Sequence, residues 1–314
     1  MSVPILPTTA EADSSQDHAV VSGSIILSFD VEEHHLIEAA AGLTVSDAAR
    51  AHYAERVEVM TRWILDRLAE REARATFFVV GQIAQANSRL IRAVADAGHE
   101  VASHGWDHQR LHNFTPARFR ADLRRSKAAL EQATGQPVVG YRAPTFSVVP
   151  ETRWALDILA EEGFRYDSSI YPVRHDRYGI PYAPRMPFYA EGERRRILEI
   201  PPATLRLCGV NLPMGGGGYF RLLPLVFLHW AIRQLRRTCA PPVVMLYFHP
   251  WDFDPEQQRL CLTPFSRFRT YVGMNRSRQR FARLLDAYRF TRAADVIDEL
   301  DWGREAPVFR PAAA

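Results

Sequence analysis

Two histidines four residues apart, in Ser103-His104-Gly105-Trp106-Asp107-His108, offer a pair of imidazoles spaced to share one metal ion. On a helical turn that spacing sets both rings on the same side. Near the N-terminus, Asp30, Glu32 and Glu33 follow a short apolar run and supply carboxylates. Two imidazoles and one carboxylate form a three-ligand site with open positions, where an ion lowers the pKa of water and polarises a carbonyl. Hydrolysis of an amide there also needs a base for the water and an acid for the leaving amine, and Asp30 and His249 suit those tasks. Arg142 stands between a buried-looking run and a proline that stiffens the turn, as a cation held beside a carboxylate would. The bland alternatives are a core histidine at 249, a surface cation at 142 and a solvated loop pair at 32 and 33.

These residues have to be brought together from some 220 positions of chain, and the order of elements predicts how. Short apolar runs at 24–29, 75–81, 100–103, 138–141, 197–200 and 243–248 read as buried strands. Helical patterns at 53–71, 116–133, 151–162 and 275–288 alternate with them, and another helix carries Leu90, Ile91, Val94 and Ala97 before Gly98. Residues 172–196, rich in Pro, Tyr and Arg, read as an elaborated loop or hairpin. Strand–helix alternation implies an α/β fold with a mostly parallel sheet. In a parallel barrel the strand ends meet at one face, and Asp30, Glu32, His104, His108, Arg142 and His249 all follow strands.

Bulk properties narrow the classes. The chain has 314 residues, 47% hydrophobic and 24% charged, enough for one barrel-sized domain. A net charge of +3 is too weak to imply a nucleic-acid partner. Cys208, Cys239 and Cys261 fit neither a disulfide framework nor a zinc knuckle, and buried reduced thiols are expected. Residues 1–23 are expected to be a disordered tail without a secretory signal, and residues 24–314 a single domain; a cytoplasmic location follows as the default. The apolar stretch 222–232 is too short for a membrane span and is followed by Arg233, Arg236 and Arg237. It reads as a packed surface helix, with peripheral membrane contact as the alternative. Oligomeric state is not encoded in any recognisable way.

Five segments in order carry a resemblance: Phe29-Asp30-Val31-Glu32-Glu33, Thr76 to Gly81, His104 to His108, Arg142-Ala143-Pro144, and Leu246-Tyr247-Phe248-His249. Together they resemble the NodB-type polysaccharide deacetylases, carbohydrate esterase family 4, over roughly residues 24–297. Within it, Gly216 to Pro224 and His249 to Pro255 resemble a C-terminal extension of the subgroup found with exosortase/PEP-CTERM exopolysaccharide clusters. The resemblance implies a distorted (β/α) barrel with fewer than eight strands, zinc as the usual metal, and an N-acetylated polysaccharide or lipid-linked oligosaccharide as substrate. It implies Asp30 as base, His104 and His108 as ligands, Arg142 as the group orienting the base, and His249 as acid. The pattern departs at Val31, where most members carry the ligand aspartate, and at His34-His35, where near relatives carry an aromatic. Glu32 is the predicted third ligand, because side chains two apart share a face if the strand runs on through them. Trp106, Tyr171, Tyr219, Phe220 and Trp251 are candidates to stack on sugar rings, Trp251 and Tyr219 foremost. Gly215 to Gly218 match no phosphate loop and are expected as a loop close to substrate. The rival readings are a hydrolase of a small cyclic amide on the same scaffold and a metal-free glycan-binding protein.

Overall fold

The structure, a computed structural model, describes residues 24–175, 177–299 and 306–312; the predicted tail at 1–23 lies outside the described residues. In chain order the strands are β1 (Ile25–Val31), β2 (Thr76–Val79), β3 (Glu100–Ser103), β4 (Gly140–Tyr141), β5 (Tyr166–Asp167), β6 (Phe188–Glu191), β7 (Arg196–Glu199), β8 (Thr204–Leu207), β9 (Val210–Pro213), β10 (Val244–Phe248) and β11 (Val308–Phe309). The α-helices are α1 (Asp47–Ala69), α2 (Gly81–Ala86), α3 (Ser88–Asp96), α4 (Pro116–Thr134), α5 (Trp154–Glu161), α6 (Gly217–Leu222), α7 (Leu225–Thr238), α8 (Pro264–Tyr271), α9 (Met274–Ala287) and α10 (Ala293–Glu299). Strands β10, β1, β2, β3, β4, β5 and β7 lie side by side and all run parallel. β6 then pairs antiparallel with β7, making a hairpin within the Pro- and Tyr-rich stretch, and β11 flanks it.

The seven parallel strands close on themselves by a narrow seam. Pro202, just past β7, bridges Met245 of β10, and Ala203 N donates to Met245 O at 2.9 Å. The result is a distorted barrel, shut by a few bonds where an ideal one has a full ladder. Alternation along the strands separates its two faces. Leu27, Phe29, Phe77, Leu246 and Phe248 point outward into the main core under the helices, while Ile26, Phe78, Ala102, Tyr166 and Met245 fill the interior. The bottom of the barrel is plugged by Glu100, which accepts from Thr76 Oγ1 at 2.7 Å, Tyr166 OH at 2.9 Å and Ala294 N at 2.9 Å.

Helix ends follow their local chemistry. Ser46 caps α1 through Ala49 N, and Thr115 caps α4 ahead of Pro116, which needs no donor there. α1 begins six residues before the apolar stripe starts, because a cap and not the stripe sets the first turn. The hairpin β8–β9 and the helices α6, α8 and α10 had no clear periodicity to announce them. Cys208 and Cys261 are exposed and Cys239 partly so, which corrects the expectation of buried thiols. Cys208 sits at φ 47° before Gly209 at the tip of the β8–β9 hairpin, where a two-residue turn holds it in water.

Candidate active site

The predicted catalytic and ligand residues, with Trp251, lie at the C-terminal end of a barrel strand or in the loop after it, whereas Tyr219 stands on α6. β1 delivers Asp30 and Glu32, β3 His104 and His108, β4 Arg142, and β10 His249 and Trp251. Glu32 is not reached by a continuing strand. β1 ends at Val31, and Glu32 N turns back to donate to Asp30 O at 3.1 Å, so the pleat points Asp30 inward but a tight turn brings Glu32 to the same side. Residues 104–108 likewise form no helical turn. Gly105 at φ 75° and His108 at φ 60° fold the loop after β3 so that the two rings stand 5.1 Å apart. Asp122 of α4 holds that loop by accepting from Trp106 N at 3.1 Å.

Glu32, His104 and His108 each offer one ligand atom, and these atoms lie within 4.8 Å of one another. Glu32 Oε2 contacts His108 Nε2 directly and stands 3.8 Å from His104 Nε2. His104 Nδ1 lies 2.8 Å from the carbonyl of Arg142, which can only accept, so Nδ1 carries a proton and Nε2 is the ring atom turned toward Glu32. Burial opposes ionisation of Glu32, but His108, His104 and His249 outweigh it and hold the carboxyl well below the usual range. A buried carboxylate and two imidazoles with converging lone pairs fit a divalent ion with nitrogen and oxygen ligands.

Beside this cluster lies Asp30. Arg142, wholly buried, donates from Nη1 to Asp30 Oδ1 at 2.5 Å and to Ser28 Oγ at 3.0 Å. Its Nη2 donates to Ser168 Oγ at 2.9 Å, and its plane lies 4.0 Å over the ring of Phe78. The guanidinium is therefore fixed from several strands at once and presents one donor edge to Asp30. His249 stands on the opposite side, its Nε2 3.9 Å from Asp30 Oδ2 and 3.6 Å from Glu32 Oε1.

The support of His249 was not visible as a role in the sequence. Pro250 starts a single 3₁₀ turn that returns Asp252 onto its own cap: Asp252 Oδ2 accepts from His249 N at 2.8 Å and lies 3.0 Å from Nδ1. Arg221 Nε lies 2.9 Å from Asp252 Oδ1, and both side chains are buried. Burial disfavours a charged His249, yet Asp252, Glu32 and Asp30 prevail and push its pKa up to about 9. Nδ1–H is thus committed to Asp252, and Nε2–H faces the cleft. The His-Pro-Trp-Asp spacing could have suggested this turn; Arg221 could not have been found without the fold.

The glycine run explains itself here. Gly216 bridges Tyr247 of β10, and Gly217 opens α6, so the run is not a free loop. A Cβ on Gly216 would overlap the Tyr247 ring, and one on Gly217 the Asp252 carboxylate. Trp251 stacks on His249 with centroids 4.4 Å apart, and with Tyr219 it lines the cavity of about 680 Å³ into which Asp30, Glu32 and His249 open. Tyr171 and Phe220 are core residues, and Trp106 is buried beneath Arg125, so none of these three meets the cavity. His34 Nε2 lies 3.0 Å from Tyr271 OH and His35 neighbours Glu33 at 3.3 Å, which places both outside the three-ligand cluster.

Comparison with known proteins matches two stretches of the chain. Residues 37–166 match the family model for polysaccharide deacetylase, and residues 168–298 match a domain of unknown function (DUF3473). A peptidoglycan deacetylase-like protein, FGM2, of Gibberella zeae is 31% identical over 127 residues, covering 40% of this chain and 36% of that protein. A chitooligosaccharide deacetylase of Rhizobium leguminosarum bv. phaseoli is 39% identical over 83 residues, covering 26% of this chain and 36% of that protein. The chain therefore spans about a third of the length of the curated relatives it matches. Among solved structures, one from Mycobacterium smegmatis described as a polysaccharide deacetylase superposes with a TM-score of 0.60 at 21% identity, covering 97% of this chain and 96% of that one. The allantoinase Puue superposes with a TM-score of 0.59, also at 21% identity, covering 90% of this chain and 91% of that one. At that identity both likenesses speak for the fold alone. The two matched segments share one sheet: β5 at the end of the first pairs with β7 of the second, and β1, which precedes both, pairs with β2 of the first and β10 of the second.

Proposed function

We propose that this protein is a metal-dependent hydrolase that removes N-acetyl groups from a glycan, a reading supported by the match of residues 37–166 to the family model for polysaccharide deacetylase. The observation that carries the reading is the convergence of His104 Nε2, His108 Nε2 and a Glu32 oxygen between Asp30 and His249. A divalent ion held by Glu32, His104 and His108, zinc being the usual choice for such donors, would supply Lewis acidity to a water and to the acetyl carbonyl. Asp30 accepts the proton of the attacking water. Arg142 keeps the Asp30 carboxylate aimed at the cleft, and its buried charge offsets the one Asp30 brings. His249, charged through Asp252 and facing the cleft with Nε2–H, gives its proton to the leaving amine. Trp251 and Tyr219 offer aromatic faces to a sugar ring at the cavity wall.

N-acetyl glycans are supported as the substrate class by relatives named for peptidoglycan and chitooligosaccharide. An exopolysaccharide or lipid-linked oligosaccharide substrate rests on the resemblance of Gly216 to Pro224 and His249 to Pro255 to the exosortase-linked subgroup. The deciding experiment is acetate release from a panel of N-acetylated oligosaccharides, with and without added zinc. Metal-dependent release supports the reading. A zinc-loaded protein that frees no acetate from any glycan, yet opens a small cyclic amide, would replace it.

A further inference from the structure

Between residues 200 and 285 the charged side chains are mostly arginines. Residues 200–251 contain five arginines and no Asp or Glu, and residues 257–285 contain seven arginines and again no Asp or Glu. Between them lie Asp252 and Asp254, both wholly buried, and the exposed Glu256. Several of the arginines serve the interior, as Arg221 does, but Arg233, Arg236 and Arg237 on α7 and Arg267 and Arg269 on α8 are exposed.

The same two helices hold the largest exposed apolar side chains of the region. On α7, Val226 and Trp230 lie four residues apart and are 59% and 45% exposed, and Arg233 and Arg237 continue that stripe; Leu222, at the end of α6, is 45% exposed. The opposite face of α7, with Leu228, Ala231, Ile232 and Leu235, is buried, so the helix already has its core contact. In α8, Phe265 and Phe268 are 69% and 56% exposed and only Thr270 is buried. Leu222, Phe265 and Phe268 also line the cavity that contains Asp30 and His249, so α8 and the end of α6, two residues before α7 begins, stand at its mouth.

We propose that the exposed side of α7 and α8 docks on an anionic lipid bilayer. Trp and Phe side chains enter the headgroup–acyl boundary, and surrounding arginines pair with lipid phosphates. Among the described residues no helix is long and apolar enough to cross a membrane, so the contact is peripheral. A hydrated polyanionic glycan would use the arginines but has no use for Val226 and Trp230. A second copy docked face to face would set arginine against arginine. The docking does not depend on the proposed activity, and its test needs no turnover.

The full chain is sedimented with vesicles of phosphatidylcholine mixed with phosphatidylglycerol and, separately, with vesicles of phosphatidylcholine alone. It binds the anionic vesicles, and raised salt weakens the binding. Arg233→Gln with Arg237→Gln lowers partition by about thirtyfold, two surface cations each contributing roughly a factor of five. Val226→Ser with Trp230→Ser, and Phe265→Ser with Phe268→Ser, lower it as well; all six positions are exposed, and thermal melts followed by circular dichroism check that the fold is kept. Failure to bind anionic vesicles, binding unmoved by all three double variants, or a dimer in solution that the α7 variants abolish in place of vesicle binding overturns the proposal.

Discussion

At the scale of single residues, the site separates ligands from proton carriers by what each nitrogen or oxygen is already bonded to. His104 has spent Nδ1 on the Arg142 carbonyl, and His249 has spent Nδ1 on Asp252. The partners differ in charge: the neutral carbonyl leaves His104 Nε2 able to bind a metal, whereas the Asp252 carboxylate helps keep the His249 ring charged, with Nε2–H to give. On this basis His104→Ala and His108→Ala each lose the bound metal, measured by elemental analysis after dialysis, together with nearly all activity. Retained metal in either variant contradicts the ligand set. Asp30→Asn and His249→Ala should instead keep the metal and lower kcat by about 10²–10⁴-fold, the range for losing one acid–base partner. Glu32→Gln separates Glu32 from its neighbours: metal lost here, but kept in Glu33→Gln, identifies the third ligand.

At the scale of elements, two short pieces of chain set the position of His249: the 3₁₀ turn after β10 and the start of α6. Gly217 lets α6 lie against Asp252, whose carboxylate is already fixed by His249 and Arg221 and has nowhere to go. Gly217→Ala is expected to destabilise by about 1–3 kcal/mol through overpacking and to depress kcat, with metal content unchanged. Gly218, one residue on, has open space around a Cβ and an ordinary helical backbone. Gly218→Ala should be neutral or more stable by about 0.4–1 kcal/mol in urea unfolding. Equal behaviour of the two variants would remove the close approach of α6 from the account of His249.

For the whole molecule, burial of carboxyl groups gives stability a distinctive pH dependence. Asp122, on α4 under the His104–His108 loop, is pushed up to about 7 by burial, with Asp107 adding to the shift and Trp106 N and Arg125 opposing it. Asp167 and Glu199, paired across β5 and β7, are raised mainly by burial. A carboxyl whose folded pKa is raised contributes stability that is fully present below its unfolded value, about 4, and is lost as pH rises through the folded value. These carboxyls act to lower stability between about pH 4 and 7, whereas His34 and His99, pushed down mainly by burial to about 3 and about 4, act to raise it over much of the same range. Asp122→Asn should therefore remove one falling contribution, so that its urea stability rises relative to the parent as pH goes from about 4 to 7. Asp252, held low by Arg221 and His249 against burial, acts in the opposite sense, and only below the ordinary carboxylate range.

The sequence by itself determined the alternation of strands and helices, because burial on one face leaves its period in the residue pattern. It also named Asp30, Glu32, His104, His108, Arg142 and His249, because each follows an apolar run and strand ends of a parallel sheet converge. It could not determine the turns that aim them. Glu32 reaches the cluster by a reversal after Val31, and His108 by a left-handed backbone, and neither leaves a periodic trace. Arg221, Asp122 and the closing seam at Pro202 and Met245 depend on contacts between residues far apart in the chain. Such contacts follow from which strand neighbours which, and only the folded sheet decides that. The exposed stripe on α7 shows the same division: its spacing is legible as one face of a helix, but the burial of the opposite face, and hence its exposure, is decided by packing.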